Sequence, residues 1–155
     1  MTDYFLVIAI FLTGTYAVAA VDDIWHMKAS RSFLYVWMAI GATAALWRHL
    51  QGDGSLVASA AIVVLLGLAC RTGVLGMTLA WGDIIALAAA ILLLAPMSGL
   101  VFLALVAALD RVVLRTFYGV LLRRSAYPFM PAVAAGMALS LLLAPYTGAF
   151  LGGLP

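Results

Sequence analysis

The chain has 155 residues, 67% of them hydrophobic and 9% charged, where an ordinary soluble domain carries about a quarter charged residues. That balance excludes a soluble core of this size; at about 20 apolar residues per bilayer helix, the length allows roughly six or seven spans and little else. The net charge is only +2, no basic stripe points to nucleic acid, and the single cysteine, Cys70, excludes an internal disulfide or a multi-cysteine zinc site.

The first apolar run, Tyr4 to Val21, ends at the acidic pair Asp22-Asp23. It contains an Ala17-Val18-Ala19 triplet of the kind signal peptidase cuts, but a secretory signal opens with positive charge. Here the only early charge is Asp3, so the run is expected to stay as a first helix. A second run, Phe33 to Trp47, is closed by Gly52-Asp53-Gly54, and a third, Leu56 to Cys70, by Arg71-Thr72-Gly73. Cys70 reads as a small buried hydrophobe within it. The fourth, Gly76 to Ala95, stops at Pro96-Met97-Ser98-Gly99; the fifth covers Gly99 to Leu114 and the sixth Phe129 to Phe150. The expected architecture is all-α: a polytopic membrane protein of about six transmembrane helices in a single domain, residues 1–155.

Orientation follows from Lys and Arg, which concentrate in short cytoplasmic loops. With the N-terminus outside, the inner segments hold Lys28, Arg31, Arg71, Arg111, Arg115, Arg123 and Arg124, and only Arg48 is left outside. The N-terminus and the C-terminus are both expected outside. Asp22 and Asp23 then end the first helix at the cytoplasmic side, and Asp83 begins the fourth from that side. A helix started at Asp83 would be too short to reach across about 30 Å before Pro96. The fourth helix is therefore expected to begin near Gly76, with Asp83 roughly two turns, about 10 Å, below the surface.

An ionisable residue within a span costs on the order of 2.5–3.5 kcal/mol on insertion scales and faces a bundle interior or a wet cavity. Asp83 is such a residue. Its alternative is structural, as the partner of a basic neighbour or a helix cap at a re-entrant turn. Asp22 and Asp23 alone are unremarkable boundary charges. Set at one depth with Asp83, one of them completes a carboxylate pair that can share a proton and activate water, as in aspartic proteases. Asp110 is read as part of a local charge cluster with Arg111 and Arg115. His26 and His49 are placed in loops on opposite sides, with no second ligand near either. No metal and no cofactor is expected.

Three stretches resemble the type IV prepilin and preflagellin (archaellin) leader peptidases, a family of six-helix intramembrane-type aspartic proteases. The family's first motif, an aspartate followed by a basic stretch and Ile-Pro-Asn at the cytoplasmic end of the first helix, falls on Asp23 to Arg31. Asp23 and Lys28 fit it, and Ala29-Ser30-Arg31 replace Ile-Pro-Asn. The second, Gly-x-Gly-Asp, appears as Ala80-Trp81-Gly82-Asp83, without the first glycine, and Ile84-Ile85 stand where a lysine often follows. The third, Pro-Phe-x-Pro with a glycine five residues on, is present as Pro128-Phe129-Met130-Pro131 and Gly136 at the opening of the sixth span.

The resemblance implies that Asp23 and Asp83, sixty residues apart as in the family, form the catalytic pair. Asp22 remains a competitor for the first place, and Gly82, Lys28, Pro128, Phe129 and Pro131 have supporting or substrate-binding roles. Pro128 and Pro131 also suit a purely structural helix start, and Gly82 would let a substrate backbone or a neighbouring helix approach Asp83. The implied activity is removal of the short basic leader from membrane-anchored pilin-like or archaellin precursors at the cytoplasmic face of the plasma membrane. The bacterial cysteine-tetrad segment is missing, so no methyltransferase activity is expected. Two other classes remain open: a small ion- or proton-coupled transporter, and a non-catalytic pilus-assembly subunit of the same fold.

Overall fold

A computed structural model describes residues 2–27, 30–52, 54–72, 79–122 and 127–147. The described residues form helices without any strand: α1 (Thr2–His26), α2 (Arg31–Leu50), α3 (Ser55–Thr72), α4 (Trp81–Leu93), α5 (Pro96–Ala108) and α6 (Met130–Thr147). From Leu109 to Leu121 the chain continues α5 without a break, in the wider π-helical register. Three helical stretches are long and apolar enough to cross a membrane: Tyr4–His26, Ser55–Thr72 and Pro96–Val120. Trp81–Leu93 and Met130–Leu143 are apolar but shorter.

The breakers act where the sequence puts them. Pro96 occupies the first turn of α5, where its missing N–H leaves no intrahelical bond unmade. Gly52 closes α2 at φ +85°, in the left-handed region that glycine enters without steric cost. Met27 ends α1 at φ 55°, its N–H turned back to the Asp23 carbonyl at 2.8 Å.

The fourth helix differs from expectation. It begins at Trp81, Leu79 and Ala80 are non-helical, and Gly76 lies outside the described residues. Asp83 thus stands in the first turn of α4, not two turns inside it. The physical reason is Asp83 itself: its Oδ2 accepts the Ala80 N–H at 3.2 Å. A carboxylate three residues into a helix that reaches back to the capping residue's amide marks a helix start. At thirteen residues, α4 is about 20 Å long.

This short helix is the centre of the molecule. Ala86 through Ile91 and Leu93 are all buried, the all-round apolar pattern of an interior helix. Small residues bring its neighbours close: a Cβ on Gly41 of α2 would stand 2.9 Å from the Ala89 Cα. Arg48, also on α2 and only 6% exposed, donates to the Leu92 and Leu94 carbonyls at 2.8 and 2.9 Å, capping the far end of α4. On α1, the buried Tyr16 hydroxyl donates to the Ala86 carbonyl at 2.6 Å, and the Tyr16 ring meets Trp37 of α2 edge-on at 4.9 Å. Gly136 of α6 packs against Val106 of α5, whose Cγ2 would lie 2.6 Å from an added Cβ. The outward faces carry large apolar side chains, among them Phe11, Tyr35, Val57, Leu65, Val112 and Leu142, a surface suited to lipid and not to water.

Candidate active site

Asp23 is the last buried residue of α1, 8% exposed. Its Oδ2 accepts the Met130 N–H at 3.0 Å. Met130 is the first residue of α6, so its amide is one of the donors a helix start leaves unsatisfied, and the helix dipole favours a negative charge there. Asp22, one residue earlier and about 100° around the helix, faces outward instead. Its Oδ1 lies 2.8 Å from Nδ1 of His26, with both side chains substantially exposed. Of the two candidates for the first acid, Asp23 is the one turned into the protein.

The Tyr16–Ala86 bond fixes how α1 meets α4. Asp23 lies seven residues after Tyr16, on the same face and about 10 Å further along. Asp83 lies three residues before Ala86, about 4–5 Å back. The Asp23 carboxylate stands within electrostatic reach of Asp83. The Oδ1 atoms of Asp23 and Asp83 accept no hydrogen bond among the described residues. Trp25 and Trp81, two residues from Asp23 and Asp83 respectively, are each 78% exposed.

A third carboxylate also stands within electrostatic reach of Asp83, that of Asp110. Asp110 is 1% exposed, its Oδ2 accepts a long 3.4 Å hydrogen bond from the Tyr127 hydroxyl, and its Oδ1 has no partner among the described residues. The expected local charge cluster survives in looser form: Arg111 and Arg115 act on Asp110 electrostatically, but their side chains are exposed while that of Asp110 is buried, and neither makes a contact ion pair with it.

The other expected residues divide. Pro128 and Phe129 are buried and lead into α6, and Pro131 lies in its first turn. Gly82 is not needed for helix packing, since an added Cβ would make only an ordinary contact, 3.6 Å from Leu34 Cδ2. Lys28 lies outside the described residues, as do Arg123 and Arg124. His26 and His49 belong to the last turns of α1 and α2 and not to loops, and Cys70 is buried as expected. Among the described residues no three His, Cys, Asp or Glu side chains are grouped to hold a metal ion. An apolar groove of about 740 Å³ opens between α1 and α2 beside Tyr4, Phe11, Ile40 and Trp47. Its nearest α1 residue, Phe11, is about 18 Å along the helix from Asp23, so the groove is separate from the carboxylates.

No family model, curated protein or solved structure matches the chain.

Proposed function

We propose that the chain is a multi-pass plasma-membrane aspartic endopeptidase that removes the short basic leader of pilin-like or archaellin precursors at the cytoplasmic face. The observation that carries the reading is that the buried Asp23 accepts the first amide of α6 and lies within electrostatic reach of Asp83. The three motif stretches of the resemblance, far apart in sequence, supply those three parts. Six spans with both termini outside, as the positive residues indicate, would put this end in the cytoplasm, beside the basic leaders of membrane-anchored substrates.

In this reading the two carboxylates hold one proton between them. The ionised one takes a proton from water as its oxygen attacks the scissile carbonyl carbon, while the protonated one gives its proton to the carbonyl oxygen. The tetrahedral intermediate then collapses. Its hydroxyl proton returns to one carboxylate, the C–N bond breaks, and the departing nitrogen takes the other proton. The products are a leader carboxylate and a new amino terminus, and the pair returns to its starting protonation. The exposed tryptophans beside both acids support work at the bilayer edge, where such a substrate emerges. The experiment is to incubate vesicles holding the protein with a precursor carrying a basic leader and to read the product's N-terminus by mass spectrometry. The proposal expects one cut immediately before the hydrophobic helix; an intact precursor counts against it.

Two features favour other classes. The buried Asp110 suits a proton path, which would acidify vesicles under a pH gradient and release no peptide. The hydrogen bonds by which Asp23 and Asp83 cap α6 and α4 suit a non-catalytic assembly subunit, which would support pilus assembly while cleaving no precursor.

A further inference from the structure

Residues Tyr127 to Met130 form a short strap into the site, held at Met130 by a hydrogen bond of ordinary length and tethered at Tyr127 by a long one and a ring contact. At one end the Met130 N–H sits on Asp23 at 3.0 Å. At the other the Tyr127 hydroxyl donates to Asp110 at 3.4 Å, and the Tyr127 ring stacks on Tyr118 with 6.1 Å between centroids. Between them Pro128 and Phe129 are buried, and the proline ring fixes its own φ. A displacement at Tyr127 therefore reaches Met130 with little slack. Asp110 also lies at the start of the π-helical stretch Leu109–Leu121 that continues α5. A buried acid with one oxygen unpartnered among the described residues is a poor choice for packing alone, because an unsatisfied polar atom is unfavourable where an apolar side chain would not be.

We infer that Asp110 is a positioning residue of the site, anchoring Tyr127 so that the strap holds the Met130 amide against Asp23. Its consequence for catalysis rests on the peptidase reading; its geometry does not. Burial, and then the charge of Asp110, push the Tyr127 phenol above its ordinary value, so the hydroxyl stays a donor.

The test uses the full chain in vesicles, with Tyr127→Phe, Asp110→Ala and Asp110→Asn compared with wild type and with Asp83→Asn. Tyr127→Phe and Asp110→Ala are expected to lower kcat about ten-fold with KM unchanged, in line with small displacements of reacting groups. Asp110→Asn keeps an acceptor for the hydroxyl and is expected to stay within about three-fold of wild type on that scale. A second readout is independent of cleavage: with 15N-methionine labelling, the Met130 amide resonance shifts in Tyr127→Phe and Asp110→Ala and holds in Asp110→Asn. Wild-type kcat in Tyr127→Phe, or Asp110→Asn as inactive as Asp83→Asn, overturns the inference. So does a Met130 resonance unmoved in all three variants, including the case in which wild type cleaves nothing and the peptidase reading itself has failed.

Discussion

Asp22 and Asp23 are chemically identical neighbours, and what separates them is the face of α1 each occupies. Asp23 is buried against the first amide of α6, and Asp22 is paired with His26 at the surface. Asp22→Asn is therefore expected to leave leader cleavage within about two-fold of wild type, whereas Asp23→Asn should lower it by 10² or more, in the range for loss of an acid–base group. Rates of precursor loss in vesicles measure both. Gly82 offers a separate reading. Because an added Cβ meets only Leu34 at 3.6 Å, Gly82→Ala should change stability by no more than about 0.5 kcal/mol in a reversible denaturant titration. If cleavage falls while stability holds, the glycine makes room for substrate; if both hold, it serves neither purpose. The choice of Asp23 over Asp22 was not legible in the sequence beyond its spacing to Lys28, because two residues 100° apart at a helix end look alike until a partner helix arrives. The burial of Asp110 was not legible either, because the arginines beside it mark a charged helix segment at the interface whichever way the acid turns.

At the scale of elements, close backbone approach governs α4. Gly41→Ala places a methyl group 2.9 Å from the Ala89 Cα and 3.0 Å from its carbonyl oxygen, neither of which can swing aside. The expected cost is about 1–3 kcal/mol, the range for overpacking a tight core, read as a lower midpoint in the same titration. Arg48→Met should be at least as harmful, about 2 kcal/mol or more, since it strips the donors from two carbonyls at the end of α4. Arg111→Met, on an exposed side chain, is the control and should stay within about 0.5 kcal/mol. Most helices could be read from the chain because glycine, proline and charge punctuate it. The start of α4 could not be, because no breaker stands there. It is set by a side chain three residues inside the helix, and a length argument based on crossing the bilayer placed it too early.

At the scale of the molecule, the apolar outer faces and the short α4, buried from Ala86 to Ile91, describe a bundle whose interior mixes small residues, large apolar ones and a few polar groups. The all-helical class was legible from apolar runs of roughly helix-spanning length between glycine, proline and charged breakers. Arg48, the one cation that the charge count assigns to the outside, is drawn into the protein as a cap on α4 and contributes little to the outer surface. The account's central claim is that Asp23 and Asp83 together cut a peptide bond. The most direct measurement is release of the leader from a membrane-anchored precursor by vesicles containing wild type, Asp83→Asn or Asp23→Asn at matched protein levels. The account predicts release by wild type and none above background by either variant, each still folded by its denaturation midpoint; undiminished release by Asp83→Asn would contradict it.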